Sequence, residues 1–335
     1  MSRRPAKPAP PLSRVTGGTP APRGILELDR FSEATIERWN ARSADLDELN
    51  DVLHFNLEPE RRRQRDASTQ ALRQIPGERW NLDNWVRLVS YQYSMHPLSA
   101  AGSLTYIGGR FNAGIDLEHN GLQPWPALYI AQDFETAFRE KFQRPHGELS
   151  DGLTPEELSL NEGGSHATVL LTGQLSRVFN MTAPETLNPI ARILASIKMP
   201  DRAMQIKKRL KIQNNDLKMA RTGRQLFETA VVHNWRILPI QFELPSNSQI
   251  LAELIREAGF EAIAYPSSKG GGHCLAIFPD SLAPGSVVAL RDTPPPDLQH
   301  PRLDISTAEA LCGWNVVGRQ PPITSKSTRF VPRSA

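Results

Sequence analysis

Proline crowds both ends of this chain and thins out between them, which bounds how much of it can fold. Of the 28 prolines, six fall in residues 1–24, beside five Arg or Lys and no acid, and seven fall in residues 293–335. A proline donates no backbone hydrogen bond and fixes φ, so neither end reads as the interior of a helix or sheet. The basic head buries too little to offset its ordering entropy and is expected to be disordered. It lacks the apolar stretch of a secretory signal, and its prolines oppose the amphipathic helix of a transit peptide. The tail clusters apolar residues only around 308–317, as a docked arm or a loose tail would.

The middle of the 335-residue chain has globular composition, with 39 % hydrophobic and 22 % charged residues overall. No run approaches the length of a transmembrane helix. The formal charge is only +3, so a polycation built to coat nucleic acid is disfavoured. Two cysteines, Cys274 and Cys312, can make neither a disulfide scaffold nor a four-cysteine zinc site. A reducing, cytoplasmic location is the simplest expectation.

Ser32 can cap a helix carrying Ile36 and Trp39, a second helix is expected over 45–55, and a third over 58–75 with Arg61, Arg62 and Arg63 on a solvated face. Residues 102–114 have strand and turn chemistry, 126–131 read as a short apolar strand, and Asp133 caps a helix to about Phe142. Short strands are expected at 166–171, 261–265, 274–278 and 286–290, a helix at 249–258 ending on Gly259, and interrupted helix over 185–232. Strands and helices mix without βαβ alternation, so the fold class is α+β.

Chemistry concentrates in three stretches. In Gly108-Gly109-Arg110-Phe111-Asn112-Ala113-Gly114 the glycines permit a tight turn that brings backbone close to a ligand, and Arg110 offers a guanidinium fork suited to phosphate. In 127–140 a helix follows a strand; Phe134, Ala137, Phe138 and Phe142 share a stripe, and Glu140 lies off it. In 261–278 a strand stops at Pro266, followed by Ser267, Ser268, a glycine loop, His273 and a second strand. Read singly, these are a hairpin turn with a surface arginine, a solvated glutamate and turn serines. Neither a phosphate-binding P-loop nor a Rossmann fingerprint nor a Gly-x-Ser-x-Gly elbow is present.

Taken together, Gly-Gly-Arg-Phe-Asn, Leu-Tyr-Ile-Ala with Glu-Thr-Ala-Phe-Arg-Glu, and Ala-Tyr-Pro-Ser resemble the RES domain family, named for an arginine, a glutamate and a serine. Arg110, Glu140 and Ser267 match in order, over a resemblance covering roughly residues 85–290. It implies an ADP-ribosyltransferase-like mixed sheet core and action on NAD+ as substrate, with no metal and no separate cofactor. Family members are toxins that deplete NAD+ by hydrolysis or phosphorolysis, often held by a helix-turn-helix antitoxin. The implied roles follow from the chemistry of nicotinamide–ribose cleavage, whose centre is oxocarbenium-like. Glu140 would stabilise that charge and orient the sugar. Arg110, with Arg87 as the best candidate for the family's early arginine, would hold the pyrophosphate. Tyr129 and Phe111 would pack on nicotinamide or ribose, with Asn112 and Tyr265 completing the substrate site, and Ser267 would bond the ribose or position Glu140. Transfer of ADP-ribose to a macromolecule is the alternative reaction, and a nucleic-acid-binding or interaction protein on a degenerate RES scaffold the alternative class.

The chain departs from the family pattern in its length. The expected organisation is a disordered head at 1–24, a helical extension at 25–82, a catalytic domain at 83–292 with a helical insertion at about 182–235, and a Pro-rich tail at 293–335. Within the insertion, residues 201–224 carry eight Arg or Lys against two acids. Such a run can lie on nucleic acid or an anionic membrane. It also lacks aromatic stacking residues, so it reads as a solvated flank with Met204, Ile206, Leu210, Ile212 and Leu217 as core contacts. No membrane contact is expected, and a second copy of the chain is a candidate partner.

Overall fold

A computed structural model describes residues 33–142, 165–214 and 217–315. The expected disordered head at 1–24, the Ser32 cap and the tail beyond residue 315 lie outside the described residues. The chain divides into two compact units, Met1–Glu48 and Leu49–Ala335.

Helix α1 spans Glu33–Arg63, in place of the separate helices expected at 32–55 and the start of the next. No glycine or proline interrupts residues 33–58, so nothing in the chain ends a helix there. Helix α2 (Arg65–Arg73) follows after Gln64. The basic run between them is only partly solvated. Arg62 and Arg63 are exposed, but Arg61 pairs with Glu58 and reaches Glu253 at 3.4 Å, while Arg65 meets Glu253 at 3.2 Å. Burial pushes the Glu253 carboxyl up, and the charges of Arg61 and Arg65 pull it back.

Strand β1 (Glu78–Ser90) begins inside the expected helical extension, so residues 78–82 belong to the sheet. Its polar residues mask the pattern, because register shifts at Glu78/Trp80 and Leu82/Trp85 break the two-residue alternation. The chain continues through β2 (Gly108–Gly109), β3 (Asn112–Ala113), β4 (Leu128–Ala131), helix α3 (Phe134–Phe142) and β5 (His166–Asn180). Three short helices follow, α4 (Asn188–Leu194), α5 (Asp201–Arg209) and α6 (Gly223–Phe227), and then a π-helical turn at Glu228–Val232. After α7 (Ile237–Phe242) and α8 (Asn247–Glu257) come β6 (Ala262–Pro266), β7 (His273–Ile277), β8 (Val287–Leu290), β9 (Arg302–Leu303) and α9 (Ala308–Cys312).

The strand order is β1-β4-β7-β6-β5-β8-β9, and β1 also pairs with β5 over Glu78↔Val178 to Ser90↔His166. Strands β1, β4, β7, β6 and β5 therefore close on themselves, with β8 and β9 added along β5. Among the described strands only β5–β6 is parallel, so the sheet is mixed and the chain is α+β.

The central strands β4, β6 and β7 are buried on both faces. On β7, Leu275 and Ile277 join one core with Leu128, Ile130, Ala262 and Ala264, while Cys274 and Ala276 join another with Ile263, Tyr265 and Ala131. Two-sided burial explains why these strands are short continuous apolar runs. The second core also takes Phe111, Phe179, Phe260, Phe278 and Ile255 of α8. The tail docks: Leu303 and Leu311 are fully buried in the first core.

In the insertion Ile206 is buried, and Leu210, Ile212 and Leu217 pack beside it as expected. Met204 does not; it is exposed on the outer side of α5, two residues out of phase with Ile206. Lys207 is buried rather than solvated, because its ammonium donates to Asn214 Oδ1 and the Leu217 carbonyl. Among the described residues, no helix is long and apolar enough to cross a membrane.

Candidate active site

Three segments, the glycine turn before β3, helix α3 after β4 and the serine loop after β6, meet beside a cavity of about 380 Å³, which the first two line and which the third reaches through Glu140. Each is fixed by its own local hydrogen bonds. Asn112 organises the first, and it is fully buried. Its Oδ1 accepts from the Gly109 N–H at 2.9 Å and the Tyr129 hydroxyl at 2.8 Å, and its Nδ2 donates to the Ser103 and Trp125 carbonyls at 2.7 and 3.1 Å. Gly109 cannot carry a side chain here. A Cβ would lie 2.5 Å from Tyr129 Oη and 2.7 Å from Asn112 Oδ1. The buried Gln249 amide donates to the Ile107, Gly109 and Asn112 carbonyls at 2.8–3.1 Å. Its Oε1 accepts from the Ser246 N–H in a capping box at the start of α8.

Arg110 projects from this turn toward protein acceptors. Nη1 lies 2.8, 3.1 and 3.4 Å from the carbonyl oxygens of Val231, Ala230 and His233, and Nη2 lies 3.2 Å from Ser268 Oγ. In this structure the Arg110 guanidinium ties the glycine turn to the π-helical turn and the serine loop.

Asp133 caps α3 as expected, accepting from the Thr136 N–H at 2.7 Å. The face that α3 buries differs from the expected stripe. Thr136 and Ala137 are buried, whereas Phe134 is exposed and Phe138 and Phe142 form a half-buried cluster with His166. The helix forms a cavity wall, so the face it turns inward continues with polar residues, Glu140 and Lys141, and the phenylalanines lie on its flank.

The serine loop joins β6 to β7. Ser267 Oγ donates to Glu140 Oε1 at 2.6 Å and accepts from the Lys269 and Gly270 N–H groups at 3.0 and 2.7 Å. The Ser268 N–H donates to the same Glu140 oxygen at 3.1 Å. Gly272 lets the loop lie on the start of α3, since a Cβ there would come within 2.6 Å of both Asp133 Oδ2 and Thr136 Oγ1. Residues 110, 140 and 267, far apart in sequence, thus share one site. A carboxylate held by a hydroxyl and a backbone N–H is fixed in position beside the cavity.

The remaining expected residues divide. Arg87 on β1 lines the cavity and donates to the Tyr129 and Ser99 carbonyls at 3.2 and 2.9 Å. Burial pushes its guanidinium down to about 10. Tyr129 and Tyr265 line the cavity, and burial pushes both hydroxyls up, so they stay protonated donors at neutral pH. Phe111 and Asn112 do not line it. Phe111 is fully buried and meets Tyr265 edge-on at 4.7 Å, so it backs the wall instead of touching its contents.

Three lining residues carried no sequence signal: Lys141, Trp235 and Arg236. Burial and the charge of Arg87 lower the Lys141 ammonium pKa. Arg87, Arg110, Lys141 and Arg236 face one carboxylate, Glu140, so the cavity favours an anion.

The sequence model of the RES domain family matches residues 84–299, from within β1 to just short of β9. The chain belongs to the RES domain family. Arg110, Glu140 and Ser267 all lie in the matched segment. Among solved structures, a chain of the M. tuberculosis MbcT–MbcA toxin–antitoxin complex is similar at 14 % identity and a TM-score of 0.35, over 73 % of this RES protein and 96 % of that chain. No curated protein matches.

Proposed function

We propose that this RES protein consumes NAD+ by cleaving the nicotinamide–ribose bond, on an ADP-ribosyltransferase-like core. The observation that carries this reading is the Glu140 carboxylate, held by Ser267 Oγ and the Ser268 N–H in the wall of a cavity whose other charged lining residues, Arg87, Arg110, Lys141 and Arg236, are all cations. The dinucleotide is an anion whose reacting end develops positive charge, and such a cavity meets both needs. The bond from C1′ of the ribose to the pyridinium nitrogen breaks with its electron pair moving to that nitrogen, so nicotinamide leaves neutral. C1′ becomes oxocarbenium-like and is stabilised by the Glu140 charge. An acceptor oxygen then bonds to C1′ and loses its proton; water gives ADP-ribose, and phosphate gives its 1-phosphate. Tyr129 and Tyr265 present hydroxyl-bearing rings to the same space. Family likeness further supports a toxin that depletes cytoplasmic NAD+ and is held by a helix-turn-helix antitoxin.

The test is nicotinamide release from NAD+ by purified protein, with and without phosphate. Free ADP-ribose or its 1-phosphate is the expected product. Label from ADP-ribose retained on a protein target would select the transferase reading. No release of nicotinamide would leave only an interaction protein on a RES scaffold.

A further inference from the structure

A second cavity, of about 180 Å³, adjoins the first. Arg87, Ser99, Gly102 and Lys141 line both. Glu140 lines only the first, and Tyr93, His96 and Trp314 only the second. Trp314 belongs to the C-terminal arm, beyond residue 299, where the match to the family ends. The arm is fastened to the wall that the two cavities share. The Leu311 carbonyl accepts from the Ala100 N–H at 2.9 Å and from the Ser99 hydroxyl at 3.2 Å, and the Leu311 side chain is buried in the core. The Ser99 carbonyl accepts from Arg87 at 2.9 Å. Three residues after Leu311, the half-buried Trp314 ring meets Tyr93 edge-on, with centroids 6.4 Å apart. A half-buried indole in a cavity wall offers a flat apolar face on which a heteroaromatic ring stacks. An apolar cavity of about 150 Å³ admits one benzene ring, so the second cavity has room for a planar base.

The side chains are thus sorted along the two cavities, a carboxylate in the first, cations facing both and aromatic rings in the second. A dinucleotide carries its groups in the matching order, with the reacting ribose at one end, the diphosphate in the middle and the adenine base at the other end. We propose that Trp314 is a specificity-determining residue that takes the adenine base of NAD+ in the second cavity, so that the C-terminal arm selects the dinucleotide over its nicotinamide mononucleotide half. This rests on the NAD+ reading above and deepens it with a residue that lies outside the family segment. The base is flat and uncharged, and stacking on the indole is the contact such a ring makes best. No bond forms or breaks at that end of the substrate, so the contribution of Trp314 is one of binding.

The test measures AMP affinity by calorimetry, kcat/KM on NAD+ and on nicotinamide mononucleotide, and thermal midpoint, for wild type, W314A and W314F. W314A is expected to weaken AMP binding and to lower kcat/KM on NAD+ roughly 5- to 150-fold, the worth of one base stacked on an aromatic side chain. The loss on nicotinamide mononucleotide, which carries the same scissile bond and no adenine, should be much smaller. W314F, which keeps an aromatic face, should recover part of the AMP affinity. Unchanged AMP affinity in W314A overturns the proposal. So does an equal loss on both nucleotides with a lowered midpoint, which marks Trp314 as packing. Wild-type protein that releases nicotinamide equally well from both nucleotides also overturns it, while leaving the NAD+ reading intact. Wild-type protein that binds AMP through Trp314 and releases no nicotinamide keeps the base site and defeats that reading.

Discussion

Ser267→Ala isolates one hydroxyl with two separable jobs. In the structure its oxygen donates to Glu140 at 2.6 Å and accepts from the Lys269 and Gly270 N–H groups. Alanine removes the charge-assisted bond, worth about 1.5–3 kcal/mol, while the Ser268 N–H still donates to the carboxylate. If that bond fixes Glu140 where positive charge develops, its loss raises the barrier by a similar amount, a fall in turnover of about 10- to 150-fold. The two freed N–H groups sit in a loop that is not buried, where water replaces the lost acceptor, so the stability cost should be no more than about 1 kcal/mol. Nicotinamide release at saturating NAD+ measures the first effect and a denaturant midpoint the second. Affinity for NAD+ should change little, because Ser267 is assigned to Glu140 and not to the phosphates. Wild-type turnover in a destabilised variant would refute this reasoning and reduce Ser267 to a loop-shaping residue.

Three further outcomes follow from the geometry. Gly109→Ala forces a Cβ to within 2.5 Å of Tyr129 Oη, so the Asn112 network must shift; a drop in thermal midpoint together with lost NAD+ binding is expected, and a wild-type midpoint would contradict the packing. Arg87 titrates at about 10 when folded, below its ordinary value, so between those pH values the unfolded chain holds the extra proton; stability should rise with pH across that window and NAD+ affinity should fall on approaching it, both changes vanishing in Arg87→Met titrated alongside. The basic insertion should bind no duplex tightly at physiological ionic strength, since one of its cations, Lys207, is buried on its own loop; a salt-dependent gel shift abolished by changing Lys208, Lys211 and Lys218 to glutamine would say otherwise.

Residues whose neighbours lie close in sequence were the legible ones. The apolar runs of β4, β6 and β7 and the Asp133 cap carry their own signals, and Arg110, Glu140 and Ser267 stand out once three motifs are read in order. Strand β1 was not legible, because bulges break its alternation and its partners on β5 lie 76 (Ser90↔His166) to 100 (Glu78↔Val178) residues away. Those are separations no local pattern reports. The buried face of α3 was misread because a cavity wall turns polar residues inward. Trp235 and Arg236 lay at the end of a stretch of helical character, and only the folded chain brings them to Glu140 and Arg110. Gln249 had a usable cue, the capping box begun at Ser246, but its three-carbonyl clamp on the glycine turn depends on tertiary contact.

Glu140→Gln tests the central claim most directly. The change keeps size and helix propensity nearly constant and removes the negative charge. Glu135→Gln on the same helix is the control, since Glu135 pairs with Arg139 on the next turn and is exposed to solvent. With nicotinamide release, NAD+ affinity and thermal midpoint measured for both, the Glu140 variant should lose roughly 10²-fold or more in turnover while its affinity and midpoint stay close to wild type. The Glu135 variant should match wild type throughout. Wild-type turnover in Glu140→Gln, or a collapsed midpoint with no specific loss of turnover, would contradict the account and leave Glu140 as a structural carboxylate.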